Sequence, residues 1–155
     1  MDIVSYSEKD TKEFAKDFAK KIKPGDVLAL YGDLGSGKTT FTRYLAGALG
    51  AEGNVTSPTF VMEKRYGIKI KNHPSRMTAK PRLEKSKIKN LELIHIDCYR
   101  MDEENVDEYY LQELFEDKES IKVIEWSEKI EKYLPTDIKK IKFEYLSENE
   151  RKIAY

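Results

Sequence analysis

Eight consecutive residues, Gly32-Asp33-Leu34-Gly35-Ser36-Gly37-Lys38-Thr39, form the pattern G-x-x-x-x-G-K-[ST]. Glycines let successive backbone N–H groups turn inward as an anion-binding nest, and a helix starting there adds partial positive charge. Lys38 then reaches the β- and γ-phosphates of a nucleotide, the Thr39 hydroxyl ligates Mg²⁺, and Thr40 bonds an α-phosphate oxygen from the first helical turn. An ordinary glycine-rich turn is the bland alternative.

Two carboxylates further along have the spacing to serve such a site. Leu91 to Asp97 alternates apolar residues into a terminal aspartate, the form of a strand whose acid meets Mg²⁺ or its water. Ile121 to Trp126 is a second apolar run ending in an acid, which makes Glu125 the other metal candidate. His95 shares a face with Asp97, because strand side chains alternate, and is either a core histidine or part of the site. Cys98 suits a small core residue better than a nucleophile. Arg100 either contacts phosphate or pairs with the acidic segment after it. Ser57-Pro58-Thr59, where Pro58 holds Ser57 extended, is either a plain turn into a strand or a switch touching Mg²⁺ or the γ-phosphate.

The elements that must position these residues are legible around them. Val27 to Tyr31 is a short apolar run after Pro24-Gly25, as expected of a buried parallel strand, and Thr40 to Leu49 is a helix with Phe41, Leu45 and Ala48 on one side and Gly50 as C-cap. Ser7 to Lys23 is amphipathic, with a capping box at Ser7-Glu8-Lys9-Asp10 and Thr11 in its first turn. Asp107 to Asp117 is a helix burying Tyr110, Leu111, Leu114 and Phe115. Ser127 is expected to cap a short helix closed by Leu134-Pro135. Ile138 to Leu146 alternates as a late strand, and Ser147 to Arg151 turns before the chain ends. Recurring β, α, β elements predict a three-layer α/β fold with a mostly parallel central sheet.

At 155 residues one domain is expected. The first residues lack a basic region followed by an apolar one, apolar runs are strand-sized, and the single cysteine excludes an internal disulfide. A cytoplasmic protein without a membrane span is the expectation. Lys+Arg and Asp+Glu both number 28, yet charge is segregated. Lys69 to Lys89 opposes eight basic residues to Glu84 alone, and Asp102 to Glu119 opposes nine acids to Lys118. Each is either a solvated surface or a face for a partner of opposite charge, RNA included for the basic one. Lys69 to Asn90, with Pro74 and Pro81 and no clean periodicity, is expected to be a mobile insertion between strands.

The phosphate loop through Phe41, Ser57-Pro58-Thr59-Phe60, His95-Ile96-Asp97-Cys98-Tyr99-Arg100 and Glu125-Trp126 together resemble the TsaE (YjeE) family, from about Thr11 to Arg151. These are small P-loop ATPases needed for threonylcarbamoyladenosine at position 37 of tRNA. The resemblance implies a P-loop NTPase fold in which Gly35, Ser36, Gly37, Lys38, Thr39 and Thr40 hold the ATP phosphates. It implies Thr39 and Glu125 as Mg²⁺ ligands and Asp97 as metal or water organiser at the γ-phosphate. Ser57, Pro58 and Thr59 become a switch, and Trp126 packs beside the site or faces a partner, as Tyr99 and Arg100 do. Thr11 matches a nucleotide-contacting position, and Asn149 or Arg151 is a base-side contact. The implied partner is the TsaD–TsaB complex, which performs the transfer while ATP hydrolysis supports repeated turnover. Cys98 replaces an apolar residue usual in the family, and the basic insertion exceeds its usual hairpin.

Two other functions fit a phosphate loop in a chain of this size. A small-molecule kinase would use Arg76 and Arg82 as lid arginines, although Ser57-Pro58-Thr59-Phe60 and Glu125-Trp126 have no evident kinase role. A nucleotide-gated assembly module would use ATP binding to form a complex and hydrolysis to reset it.

Overall fold

The computed structural model describes residues 1–59, 62–69, 91–102 and 104–155. In chain order they form β1 (Asp2–Ser5), α1 (Glu8–Ala19), β2 (Val27–Tyr31), α2 (Lys38–Leu49), β3 (Glu63–Gly67), β4 (Glu92–Asp97), α3 (Glu108–Glu116), β5 (Ile121–Glu125), a 3₁₀ segment (Ser127–Tyr133), β6 (Lys139–Tyr145) and β7 (Arg151–Ala154). The strands make one seven-stranded sheet in the order β1-β7-β6-β2-β5-β4-β3. Its four central strands, β6, β2, β5 and β4, run parallel. The outer strands β1, β7 and β3 are antiparallel to their neighbours.

Alternation along the central strands sorts residues to two faces. Leu28, Leu30, Leu93, Ile121 and Val123 pack with α1 and α2, whereas Val27, Ile94, Ile96 and Ile124 pack with Leu111, Leu114 and Phe115 of α3. The result is the three-layer α/β arrangement expected. Phe41 of α2 is fully buried, with ring centroids 5.4 Å from Phe14, 5.9 Å from Phe18 and 5.4 Å from Phe143. This cluster ties the helix after the phosphate loop to α1 and to the sheet, so the loop rests on rigid elements.

Helix α1 starts as expected: the Asp10 N–H donates to Ser7 Oγ at 3.3 Å, and Asp10 Oδ2 accepts from the Tyr6 N–H at 3.0 Å. Ser7→Ala removes this cap and is expected to cost about 1 kcal/mol of stability. Urea denaturation at a shifted midpoint with an unchanged slope checks it.

Several elements differ from the sequence reading. α1 stops at Ala19 rather than Lys23: Lys21 N–H bonds Phe18 O at 2.9 Å and Ile22 N–H bonds Ala19 O at 3.2 Å, so the chain tightens into a 3₁₀-type turn that sends Ile22 into the core. Ser127 does not cap the 3₁₀ segment from outside; its buried hydroxyl donates back to Ile124 O at 2.8 Å, and Trp126 holds the cap position. The chain does not end in a turn after β6 but returns as β7, against which β1 pairs. The expected insertion at residues 69–90 lies outside the described residues apart from Lys69, and Phe60 and Arg76 and Arg82 lie outside them too. Among the described residues no helix is long and apolar enough to cross a membrane.

Candidate functional site

β2 delivers the chain to Gly32 at the C-terminal edge of the sheet, and α2 leaves that edge from Lys38. Gly37 occupies the N-cap position and offers no side-chain cap. The first bond of the helix, Phe41 N–H to Gly37 O at 2.9 Å, leaves the N–H groups of Lys38, Thr39 and Thr40 outside the helical ladder. Donors and helix dipole therefore converge above the loop, where negative charge is favoured. Lys38 is only 4% exposed, and its Nζ donates to Gly32 O at 2.5 Å and Asp33 O at 3.0 Å. The same ammonium lies 4.0 Å from the centroid of the Trp126 ring. Burial pushes the Lys38 ammonium below its ordinary pKa, while the Glu125, Glu128, Asp97 and Asp33 carboxylates pull it back up.

The two carboxylates stand at one level. In the parallel register of β4 and β5, Asp97 pairs with Glu125, and both are buried. Glu125 bridges two partners: Thr39 Oγ1 donates to its Oε2 at 2.7 Å, and its Oε1 lies 2.7 Å from His95 Nε2. Asp97 is held by three donors. The Thr59 hydroxyl lies 2.5 Å and the Ser57 hydroxyl 3.2 Å from its Oδ2, and the Tyr99 N–H donates to its Oδ1 at 2.9 Å. Pro58 between the two hydroxyl residues is buried. The Ser-Pro-Thr segment is thus strapped to the acid that ends β4.

Other residues singled out from the sequence fall at different distances from this centre. Trp126 follows Glu125 with φ 59°, a left-handed conformation uncommon for a bulky residue, and its ring lies 4.9 Å from that of the exposed Tyr99. Arg100 is exposed beside Tyr99. Arg151 lies against the phosphate loop: a Cβ built on Gly37 would meet Arg151 Cγ at 3.7 Å and Nε at 3.8 Å. Its guanidinium sits 4.6 Å from the Tyr145 ring and donates to the carbonyls of Ser147 and Glu150. Thr11 is buried in α1 with its hydroxyl 2.8 Å from Ser5 Oγ, so its polar group is engaged with β1. Burial pushes the Cys98 thiol up to about 12, which keeps it protonated and inert.

The residues present fit a nucleotide triphosphate with Mg²⁺. Ser36 Oγ and Arg151 Nε, close to Gly32 and Gly37, are buried without a hydrogen-bond partner among the described residues, and each can donate to an anionic oxygen. Above Gly35 the space is open, since a Cβ there would meet no atom within 4 Å. No cluster of three or more His, Cys, Asp and Glu is placed to hold a metal among the described residues. Magnesium needs none where one hydroxyl and one or two carboxylates share it with phosphates and water. Sequence reasoning missed the His95 to Glu125 contact and the Lys38 to Trp126 stacking, since both depend on which strands become neighbours.

The chain matches, over residues 5–153, the family described as Threonylcarbamoyl adenosine biosynthesis protein TsaE. It is 37% identical over 146 residues to the tRNA threonylcarbamoyladenosine biosynthesis protein TsaE of Bacillus subtilis, covering 94% of this chain and 78% of that protein. The protein of the same name from Aquifex aeolicus is 33% identical over 154 residues, 98% of this chain and 92% of the relative. A crystal structure of Bacillus subtilis YdiB is similar with a TM-score of 0.71 at 32% identity, covering 99% of this chain and 82% of that one. With the phosphate loop, the Ser-Pro-Thr strap and the paired acids all in their expected order, this chain belongs to the TsaE family.

Proposed function

We propose that the protein is a Mg²⁺-dependent ATPase that supports formation of N6-threonylcarbamoyladenosine at position 37 of tRNA as an accessory of a TsaD–TsaB complex. The observation that supports it best is the bond from Thr39 to Glu125 at the root of α2, beside Asp97 strapped to Ser57 and Thr59. Thr39 and Glu125 would hold Mg²⁺, with Asp97 close by. Bound Mg²⁺ supplies neutralisation of phosphate charge and a fixed orientation for the transferred group.

The chain's own residues act by position and charge. Lys38 exchanges the carbonyls of Gly32 and Asp33 for phosphate oxygens, and the N–H groups at the start of α2 bind the anion. Asp97 accepts a hydrogen bond from the attacking water and sets its direction. In the isolated chain this carboxylate is engaged by three of the protein's own donors. Slow hydrolysis alone follows, and a partner that draws Ser57 and Thr59 away from Asp97 speeds it.

Reconstitution with TsaD–TsaB, the companion synthase and tRNA tests this reading. Phosphate release is expected to require Mg²⁺ and to rise when the complex is added, and multi-turnover modification is expected to depend on this protein and ATP. Absence of nucleotide-dependent stimulation overturns it. A Glu125→Gln variant that binds ATP without hydrolysing it, yet sustains repeated modification, would instead assign the protein the role of an assembly gate.

A further inference from the structure

Along β4 and β5 the side chains facing α2 change from apolar to polar toward the site. Leu93 is followed by His95 and Asp97, and Ile121 and Val123 are followed by Glu125. His95 is completely buried at this boundary, with Nε2 2.7 Å from Glu125 Oε1. A carboxylate offers only acceptors, so Nε2 carries the hydrogen and donates it. The other nitrogen, Nδ1, is buried with no partner among the described residues. An imidazole with one nitrogen orphaned is a costly way to fill a core that Leu or Ile would fill without penalty. The bond from Nε2 is the interaction that the position provides. It fixes one oxygen of Glu125, so that the other, 2.7 Å from Thr39 Oγ1, faces the loop.

We propose that His95 is a positioning residue for the metal: it clamps Glu125 in the rotamer that presents Oε2 together with Thr39 Oγ1 to Mg²⁺. This rests on the nucleotide and Mg²⁺ reading above. Groups that orient a metal ligand from behind typically change metal affinity by about 10- to 100-fold when removed. His95 should therefore govern the strength with which Mg²⁺ enhances nucleotide binding, and leave nucleotide binding without metal unaltered.

The chain has a single tryptophan, Trp126, stacked on Lys38, which gives an optical readout apart from turnover. Titrations of ADP and ATP with excess chelator and then with increasing Mg²⁺ are to be followed by Trp126 fluorescence in the parent, His95→Gln, His95→Asn and His95→Leu. The Gln amide nitrogen reaches the place of Nε2, whereas the Asn amide falls short of it and Leu lacks a donor. Expected are parent-like Mg²⁺ coupling in His95→Gln, a loss of about 10-fold or more in apparent Mg²⁺ affinity in His95→Asn and His95→Leu, and unchanged metal-free affinity in all three. Thermal melting of the same samples separates coupling from unfolding, and Gln and Asn, alike in polarity, keep the comparison valid should Leu fail to fold. Full coupling in His95→Asn, loss of coupling in His95→Gln, or equal losses with and without metal each overturn the proposal. A parent protein that binds neither nucleotide overturns the nucleotide reading itself, and one that binds nucleotide with no enhancement by Mg²⁺ overturns the metal reading on which the proposal rests.

Discussion

Lys38→Ala is expected to lower ATP turnover by about 10²-fold or more while leaving the protein folded, because it removes the cation threaded through the phosphate loop's own carbonyls. Gly32 O, Asp33 O and the Trp126 ring hold the ammonium at the loop, so on the proposed reading the side chain is already ordered when it exchanges the two carbonyls for phosphate oxygens, and little rotamer freedom is lost. Lys38→Met, which keeps the stem but not the charge, is expected to fail equally, as the charge and not the packing is at issue. Lys38→Arg is expected to recover little. The pocket between two carbonyls and an indole face suits a compact ammonium, and a planar guanidinium cannot direct a single point of charge there. Phosphate release measured at saturating Mg²⁺ and ATP checks all three. Turnover within tenfold of the parent in folded Lys38→Ala would remove this residue from the chemistry.

The parts of the molecule that sequence made legible are those whose signal is local. The strand before the loop and the helix after it follow from Val27 to Tyr31 and from the spacing of Phe41, Leu45 and Gly50, because burial and capping leave their mark within a few residues. Asp97 and Glu125 were visible as acids closing apolar runs, and two parallel strands were expected to deliver them to one sheet edge beside the loop; that β4 and β5 are direct neighbours with the two acids in register is what the sequence did not show. β1 and β7 were missed for the same reason: Asp2 pairs with Ala154 across the whole chain, and a four-residue strand has too few positions to display an alternation. Arg151 shows the limit from the other side. The turn containing Ser147 and Glu150 brings it back beside Gly37, and only the β6 to β7 pairing explains why. Thr11 was singled out by the family resemblance, and its hydroxyl meets Ser5 of a strand that sequence did not reveal.

Gly32→Ala is expected to be strongly destabilising, more so than Gly35→Ala. Gly32 has φ 132°, a region that L side chains rarely adopt, and a Cβ there would stand 2.2 Å from Phe143 O and 2.9 Å from Ser36 Oγ. The carbonyl cannot retreat. Phe143 lies in the middle of β6 between β2 and β7, paired with Ile153, while the preceding residues Ile141 and Lys142 are in register with Leu30 and Tyr31. Its ring is locked against Phe41 at 5.4 Å. Strained backbone costs about 1–3 kcal/mol and overpacking a further ~1–3, so a total of about 2–6 kcal/mol is expected, a large share of the ~5–15 that keeps a domain folded. Gly35→Ala separates the two contributions: its φ of 76° is also left-handed, but its Cβ meets nothing within 4 Å, so only the backbone strain is felt there. Denaturation of both variants should put Gly32→Ala well below Gly35→Ala, and equal midpoints would refute the clash. The same displacement reaches function, for Gly32 O is the nearest acceptor of the Lys38 ammonium and cannot move without releasing it. Any Gly32→Ala protein that still folds should therefore show weakened nucleotide binding as well, the more so because the methyl group would crowd Ser36 Oγ, one of the donors free for an anionic oxygen.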